Sequence, residues 1–352
     1  MTRERLELHD RIEPLAREWD ELVERAGAAP FARPGWFRAW WSAFGSGRLQ
    51  IVALRRGSEL AAVLPLERRA SLLRSLTNWH TPELEVPALD ASARERLLRD
   101  LILQTRTPVL LGMLTRGRDE AQVVETAAAD AGMRVLARTI ERSPYVRLDG
   151  DWETYAQALP RRRRSELRRR ERRLAEEGEL AFEVRDGDDR LDALLAEGFA
   201  VEPSGWKADA GTAIVSRPET ATFYSEVARW AADRGQLRLA FLRLDGEPLA
   251  FHLTIEDGRS AYQLKGGYQP RFKPYAPGTL LIGRMLEWAF ARRLHSYEFL
   301  GEDEGFKVDW TSDTRDRLAL QAFPRSLSGS VAFAAFSYGR PLAKRARDLV
   351  AR

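Results

Sequence analysis

Residues 262–283, with the sequence YQLKGGYQPRFKPYAPGTLLIG, decide the fold. A strand ends in a Gly-Gly pair, a loop rich in aromatic side chains follows, and the tetrapeptide APGT at 276–279 enters an apolar helix. The N-terminus of a helix has unpaired backbone N–H groups and a partial positive charge. Because a Pro-Gly entry lets a ligand approach these groups closely, the stretch predicts a pyrophosphate site or, equally, an ordinary helix start.

The residues around this stretch predict a sheet flanked by helices. Apolar residues at helical spacing predict helices, and short apolar runs separated by Asp-Gly turns predict strands. From residue 151 onward we expect helices at 151–159, from 161 to Gly178, at 188–201, 218–234 and 279–293, and strands at 180–185, 236–243, 248–256, 260–267, 296–300 and 316–323.

The first half of the chain predicts a similar order of elements. We expect helices at 14–26, 34–44, 91–104 and 118–131, and strands at 49–55, 60–66, 108–114 and 133–140. Alternating helices and strands of this kind predict α/β layers. The expected domains are therefore residues 1–145 and 146–328, followed by a basic helical tail at 329–352.

Composition narrows the classes of function. The chain has 352 residues, of which 44% are hydrophobic and 31% charged, as in a globular protein with a core. It has no cysteine, so thiolate metal sites and cysteine nucleophiles are excluded, and its four histidines have no metal-ligand spacing. The N-terminus lacks an apolar signal region and the apolar run at 331–338 is too short to span a bilayer, so we expect a cytoplasmic protein without a metal.

Positive charge is concentrated in one segment. Residues 161–174, RRRRSELRRRERRL, contain nine Arg and two Glu, whereas the whole chain has a net charge of only +4. Only five of the 56 basic residues are lysines, and a lysine among so many arginines indicates a position that needs a compact ammonium group. The lysines are Lys207, Lys265, Lys273, Lys307 and Lys344.

Four segments resemble the acetyltransferases of the CelD/BcsL type. They are EPSGWKADAGTAI at 202–214, LDGEPLAFHLTIEDGRSAYQLKGGYQP at 244–270, APGTLLIGRMLEWA at 276–289 and FLGEDEGFKVDW at 299–310. The resemblance extends over almost the whole chain. Proteins of this type have the GNAT fold, are often linked with exopolysaccharide biosynthesis, and are similar to the FemAB-type aminoacyl transferases, which also pair two GNAT-like halves.

The resemblance implies two tandem GNAT-like (acyl-CoA N-acyltransferase) domains with mixed, mostly antiparallel sheets flanked by helices. It also implies acetyl-CoA or another acyl-CoA as co-substrate, lying in a splay between the strands at 248–256 and 260–267. Typical GNAT enzymes have a Q/R-x-x-G-x-G/A loop at the helix entry, which this chain replaces with Pro-Gly-Thr. The donor-binding residues we expect are Lys265, Gly267, Pro277, Gly278, Thr279 and Leu280.

Attack of an amine on a thioester needs a base, an oxyanion donor and an acid for the leaving group. His252 lies on a strand where GNAT enzymes often place a base, and an unperturbed imidazole titrates near pH ~6.5. The alternative bases are Glu202, Asp303 and Glu304. Tyr262 or Tyr268 is the expected acid, Lys265 and Lys307 are expected to hold an anionic group, and Trp206 and Lys207 to form a substrate wall.

The arginine-rich helix at 161–173 leaves several partners open. It is suited to the phosphates of CoA or another anionic ligand, to an anionic lipid surface, or to transfer RNA, and it is equally typical of a solvated helix with one apolar stripe. We expect an N-acyltransferase with a small amine acceptor. The alternatives are a FemAB-like transferase that uses aminoacyl-tRNA and a catalytically degenerate GNAT module that regulates polysaccharide synthesis.

Overall fold

The computed structural model of the chain describes residues 4–70, 72–187, 190–201 and 217–339. Its strands are β1 (Glu4–His9), β2 (Arg48–Arg56), β3 (Glu59–Arg69), β4 (Leu72–Ser75), β5 (Val109–Thr115), β6 (Arg134–Arg147), β7 (Leu180–Arg185), β8 (Leu237–Leu244), β9 (Glu247–Glu256), β10 (Ser260–Tyr268), β11 (Ser296–Glu298) and β12 (Thr314–Phe323).

The α-helices follow the predicted positions closely. They are α1 (Ala16–Ala26), α2 (Pro34–Phe44), α3 (Ala91–Gln104), α4 (Asp119–Asp130), α5 (Trp152–Ala158), α6 (Arg161–Ala175), α7 (Leu191–Val201), α8 (Pro218–Asp233), α9 (Pro277–Ala291), α10 (Gly305–Val308) and α11 (Leu327–Ala334). Local signals explain several boundaries: Pro34 opens α2, and the Asp90 carboxylate accepts from the Ala93 N–H to cap α3.

The chain divides into two compact units. Unit 1 comprises Met1–Glu141 and Asp316–Arg352, and unit 2 comprises Arg142–Arg315. The sheet of unit 1 has the strand order β1-β2-β3-β4-β5-β12, and that of unit 2 has the order β7-β8-β9-β10-β11-β6. The sequence order grouped the strand at 316–323 with the second half, but its hydrogen bonds pair it with β5 in unit 1.

Both units repeat one topology. In unit 1, four antiparallel strands are followed by a crossover through α3 to β5, which pairs with β4 in parallel. In unit 2, four antiparallel strands are followed by a crossover through α9 to β11, which pairs with β10 in parallel. The predicted fold class is confirmed: the chain consists of two tandem GNAT-like α/β units with mixed, mostly antiparallel sheets.

Each unit has its own apolar core. In unit 1, strand residues such as Leu64 pack with Leu97 and Leu98 of α3. In unit 2, Ala240, Ala250 and Ala261 on one face of the sheet pack with apolar residues of α9, and Leu174 of α6 joins the same cluster. The opposite face, which includes Phe251, lies against α7. Small side chains on the α9 face let this helix approach the strands closely.

In the described ranges, no helix is long and apolar enough to cross a bilayer. Over the same ranges, no group of three or more His, Asp or Glu side chains is arranged to hold a metal ion.

Candidate functional site

A gap opens in the sheet of unit 2 where β10 and β11 diverge. The two strands pair only through residues 260–262 and 296–298. β11 ends there because Leu300 and Gly301 both adopt left-handed backbone conformations, with φ of 57° and 67°, which no strand continues. Beyond Tyr262, β10 extends to Tyr268 with a hydrogen-bonded neighbour in β9 but without β11.

The expected position of the splay was wrong by one strand. It was predicted between 248–256 and 260–267, yet β9 and β10 stay paired from Ala250 with Tyr268 to Glu256 with Ala261. An Asp-Gly turn joins these two strands and brings them together as an ordinary hairpin. The strands that diverge are joined by a whole crossover helix, so no turn holds their far ends together.

The equivalent gap in unit 1 is filled by the chain itself. β4 has only four residues, and the segment 81–89 continues the sheet between β3 and β5. Leu84 N–H donates to Met113 O at 2.7 Å on one side, and Leu89 N–H donates to Ala61 O at 2.8 Å on the other. We call this segment the unit 1 plug. It leaves no room between β3 and β5 for a ligand.

Buried charges hold the plug in place. The Glu83 carboxylate accepts hydrogen bonds from Arg317 Nη1 at 2.8 Å and from Thr115 Oγ1 at 3.0 Å. Burial raises the pKa of Glu83, but the charges of Arg317 and Arg118 outweigh that effect and hold its pKa below the ordinary value. The carboxylate therefore remains ionised although it is buried. Its partner Arg317 comes from β12, the strand that returns to unit 1.

The α9 face of the unit 2 sheet carries His252. The imidazole is buried, with 2% of the residue exposed, and lies across from Gly266 on β10. A Cβ atom added to Gly266 would lie 2.5 Å from His252 Cδ2, which no real Cβ contact allows. Gly266 is thus the residue that makes space for the imidazole edge beside the gap.

Two further residues, which no sequence motif indicated, lie on the same face. Tyr297 of β11 donates from its hydroxyl to Gln263 Oε1 at 3.0 Å, which directs the amide nitrogen of Gln263 toward Gly266. Burial raises the pKa of Tyr297, so its hydroxyl stays protonated at neutral pH. The signal in the sequence was weak, because Gln263 reads as an ordinary polar residue of an alternating strand.

A β-bulge between Gln263 and Lys265 separates the predicted site residues into two groups. Because of the extra residue, Tyr262 and Lys265 share the face opposite His252. Tyr262 donates from its hydroxyl to Asp257 Oδ2 at 3.3 Å, and Lys265 Nζ lies 5.2 Å from the centre of the Tyr224 ring. The structure therefore brings His252 and Tyr268 together on one face, and Tyr262, Lys265 and Gly267 on the other.

The predicted pyrophosphate site lies at the start of α9. Thr279 and Leu280 donate their backbone N–H groups to Ala276 O at 3.0 and 3.2 Å, and Pro277 has no N–H group. The Tyr268 ring covers Gly278, since an added Cβ would lie 3.2 Å from Tyr268 Cδ1. This helix start consequently offers fewer backbone donors than a glycine-rich loop, and its entrance is bounded by an aromatic ring.

Lys307 ties together the loop that follows β11. Its ammonium donates to Leu300 O at 2.7 Å and to Glu302 O at 3.0 Å, and it pairs with Glu304 Oε2 at 2.9 Å. These three contacts use all three donors of an ammonium group. Lys307 therefore fixes the end of β11 and pairs with the Glu304 carboxylate. The sequence motif had predicted that Lys307 and Glu304 would act on a ligand.

The remaining predicted residues divide between the surface and the undescribed part of the chain. Asp303 is exposed, and its Oδ2 atom lies 3.9 Å from Arg142 Nη1. Glu202, Trp206 and Lys207 lie outside the described residues.

The repeated topology and the open gap of unit 2 define the fold class of tandem GNAT-like proteins. A family model and several solved structures agree with this class. Residues 161–308 match the family model for the acetyltransferase (GNAT) domain. This match begins at α6, ends at α10 and includes every residue of the gap. No curated protein matches the chain.

Solved structures extend the likeness over both units. A crystal structure of FemX is 13% identical and covers 91% of this chain and 96% of its own, with a TM-score of 0.57. The C-terminal domain of a putative lysylphosphatidylglycerol synthetase from Agrobacterium fabrum is 15% identical, with a TM-score of 0.53; the match covers 90% of this chain and 96% of that domain. A protein of unknown function from Bacteroides thetaiotaomicron is 9% identical, with a TM-score of 0.57; the match covers 90% of this chain and 99% of that protein. At these identities the likeness concerns the fold.

Proposed function

We propose that the chain is an N-acyltransferase that moves an acetyl or other acyl group from acyl-CoA to an amine. The observation that carries the proposal is the asymmetry of the two gaps. The unit 1 plug fills the gap between β3 and β5, whereas β10 separates from β11 beside a face that carries His252, Gln263 and Tyr268. One donor site per chain is expected, in unit 2.

Transfer forms a C–N bond and breaks the C–S bond of the thioester. The amine must lose a proton as it attacks, and the departing thiolate must gain one. His252 is the candidate base because its imidazole edge lies beside the gap, and Tyr268 is the candidate acid on the same face. The Gln263 amide nitrogen is a candidate donor to the developing oxyanion, held in orientation by the Tyr297 hydroxyl.

The test is an assay of acyl transfer followed by mass spectrometry. Acetyl-CoA and longer acyl-CoAs are offered with a panel of amino sugars and amino acids, and N-acylated products are measured. His252→Gln and Tyr268→Phe are expected to lower kcat by about 10²-fold or more, the usual range for losing an acid or a base. The control Arg259→Gln changes a residue at the β9–β10 turn, away from the gap. Unchanged kcat in both site variants would contradict the assigned roles.

A second candidate donor is aminoacyl-tRNA, and the observation that favours it is the outer face of α6. Six of the nine arginines in this helix are exposed: Arg161, Arg162, Arg168, Arg169, Arg172 and Arg173. An exposed row of guanidinium groups attracts phosphates, and such binding weakens as salt rises. Binding of charged tRNA that falls with salt and is lost in the quadruple change of Arg161, Arg162, Arg168 and Arg169 to Glu would favour this donor over acyl-CoA.

The kind of acceptor and the place of the reaction in the cell are also proposals. The sequence resemblance to CelD/BcsL-type acetyltransferases supports an acceptor made for exopolysaccharide or the cell envelope, with the reaction in the cytoplasm. A catalytically degenerate module that regulates polysaccharide synthesis is the alternative without chemistry. It predicts binding to anionic lipid vesicles and no acylated product from any amine in the panel.

A further inference from the structure

Helix α11 of unit 1 presents apolar side chains to solvent. Leu327 is 91% exposed and Val331 is 70% exposed, and Ala334 at the end of the helix is exposed as well. Because these side chains follow one another at intervals of four and three residues, they share one side of the helix. We call these three residues the α11 stripe. A single exposed apolar residue is ordinary, whereas a contiguous group of them indicates a surface that contacts another molecule.

The other side of α11 fixes the orientation of the helix. The rings of Phe333 and the following Phe336 pack on Phe323 of β12, with their centres 5.6 and 5.7 Å from that of Phe323. Gly329 is buried on the same side, where an added Cβ would lie 2.0 Å from a backbone oxygen. The helix therefore packs on β12 through its aromatic side, and the α11 stripe lies on the opposite side.

Positive charge accompanies the α11 stripe. Residues 324–347 contain five basic residues and no acidic one, although 52 of the 352 residues in the chain are Asp or Glu. Arg325 is exposed just before the helix, and the Arg134 guanidinium carbon lies 5.2 Å from the centre of the Phe333 ring. The other basic residues follow the helix at 340–347. The stripe therefore belongs to a segment whose charges are all positive.

A bilayer surface that contains anionic lipids matches both properties. Helices at such a surface place apolar side chains below the headgroups, and nearby basic residues are attracted to the lipid phosphates. A second copy of the chain fits less well, because it would bring like charges together. The eight residues of α11 also extend only about 12 Å, too little for the roughly 800 Å² that each partner buries in a stable interface. RNA would satisfy the cations and leave the apolar stripe in water.

We propose that α11 docks unit 1 onto a bilayer surface that contains anionic lipids. The α11 stripe enters the layer below the headgroups, and Arg325, Arg134 and the basic residues at 340–347 lie at the phosphates. This surface differs from the arginine face of α6, whose apolar residues Leu167 and Leu174 pack with the core of unit 2. It does not depend on the proposed function, because it shares no residue with the gap between β10 and β11.

The test uses the absence of cysteine from the chain. Leu327→Cys gives a single attachment point for an environment-sensitive fluorophore, and the labelled full chain is mixed with vesicles of phosphatidylcholine, with or without phosphatidylglycerol. We expect the emission to shift to the blue with the phosphatidylglycerol vesicles and to shift less in high salt, because salt screens the attraction to the headgroups. Unchanged emission with these vesicles would overturn the proposal.

A label at Leu8→Cys is the matched control. Leu8 is 67% exposed on β1, and four strands separate β1 from β12 in the unit 1 sheet. We expect its emission to stay unchanged with either kind of vesicle. An equal blue shift at both positions would overturn the proposal, because the vesicles would then bind the chain without preference for α11.

Unlabelled variants measure what each part of the surface contributes. The double change Leu327→Gln and Val331→Gln is expected to weaken co-sedimentation with phosphatidylglycerol vesicles by about tenfold or more, because it removes the apolar side chains that enter the bilayer. The melting temperature should stay unchanged, since both side chains are exposed. A chain that ends at Gly339 loses the basic residues at 340–347 and should bind more weakly and with less dependence on salt.

Two further results would overturn the proposal. Equal vesicle binding by the double variant would show that the α11 stripe does not enter the bilayer. A blue shift of the label at Leu327→Cys that appears without vesicles, as the protein concentration rises, would indicate that a second copy of the chain covers the stripe.

Discussion

At the scale of single residues, the gap site depends on the absence of a side chain at residue 266. The His252 imidazole uses the space that a Cβ at Gly266 would fill, and the Gln263 amide borders the same space. A glycine within a strand costs conformational entropy and weakens the strand, so such a position needs a local reason. Here the reason is the close approach of a buried imidazole.

Gly266→Ala is expected to displace His252 and lower kcat, while lowering the free energy of unfolding by about 1–3 kcal/mol, as overpacking does. Urea unfolding and the acyl-transfer assay measure the two effects. Gly305→Ala is the matched control, because a Cβ there meets no atom within 4 Å. An alanine at 266 that leaves both kcat and stability unchanged would contradict the close packing.

Tyr297→Phe is expected to lower the free energy of unfolding by about 1–3 kcal/mol, because Gln263 Oε1 loses its buried donor. Since burial keeps Tyr297 protonated, the pH profile of the unchanged enzyme should show no inflection from this group in the neutral range. If the Gln263 amide helps to stabilise the oxyanion, kcat should fall more than KM changes. A variant with normal kcat would exclude that role.

At the scale of elements, the unit 1 plug explains why the two halves differ despite their shared topology. A short β4 leaves space that residues 81–89 fill, and the buried pair of Glu83 with Arg317 stabilises this arrangement. Unit 2 has a β10 of nine residues, so no segment is needed to complete the sheet beside β9. The length of one strand therefore decides which unit has an open gap.

Glu83→Gln is expected to lower the free energy of unfolding by about 3–5 kcal/mol at pH 7, because it leaves Arg317 buried without an opposite charge. The folded pKa of Glu83 lies below the ordinary value of 4.5, so its stabilising effect is present above pH 4.5 and is lost as pH falls through the folded pKa. The difference between the two chains should therefore shrink in acid. Glu95→Gln, at an exposed position of α3, is the control, and a difference that persists at all pH values would contradict the pairing.

At the scale of the whole molecule, the strand order shows how far the sequence alone leads. Periodicity and turn residues predicted most helices and strands within a few residues, and the resemblance predicted the tandem fold. Which strand pairs with which was harder to predict from the sequence. β12 pairs with β5, about 200 residues away, and no local signal at 316–323 indicates this pairing. The position of the gap was missed for the same reason, since divergence of β10 from β11 depends on pairing across a crossover.

Removal of residues 316–352 is expected to destabilise unit 1, because β5 loses its neighbour β12 and Glu83 loses Arg317. Hydrogen exchange should show lost protection in β3 and β5 and retained protection in β8 to β10. A chain that ends at Gly339 keeps β12 and is the control. Full protection of β5 in the shortened chain would contradict the pairing.

The most direct test of the central claim is a calorimetric titration of acetyl-CoA into the full chain. An open gap in unit 2 and a filled one in unit 1 predict binding of one molecule per chain, and a 100-fold excess over Kd should add about 2.7 kcal/mol of stability. Gly278→Trp, which crowds the entrance beside Tyr268, should abolish this binding, whereas Arg259→Gln, at the β9–β10 turn, should not. Absence of binding, two molecules per chain, or unchanged binding in Gly278→Trp would contradict a donor site at the gap between β10 and β11.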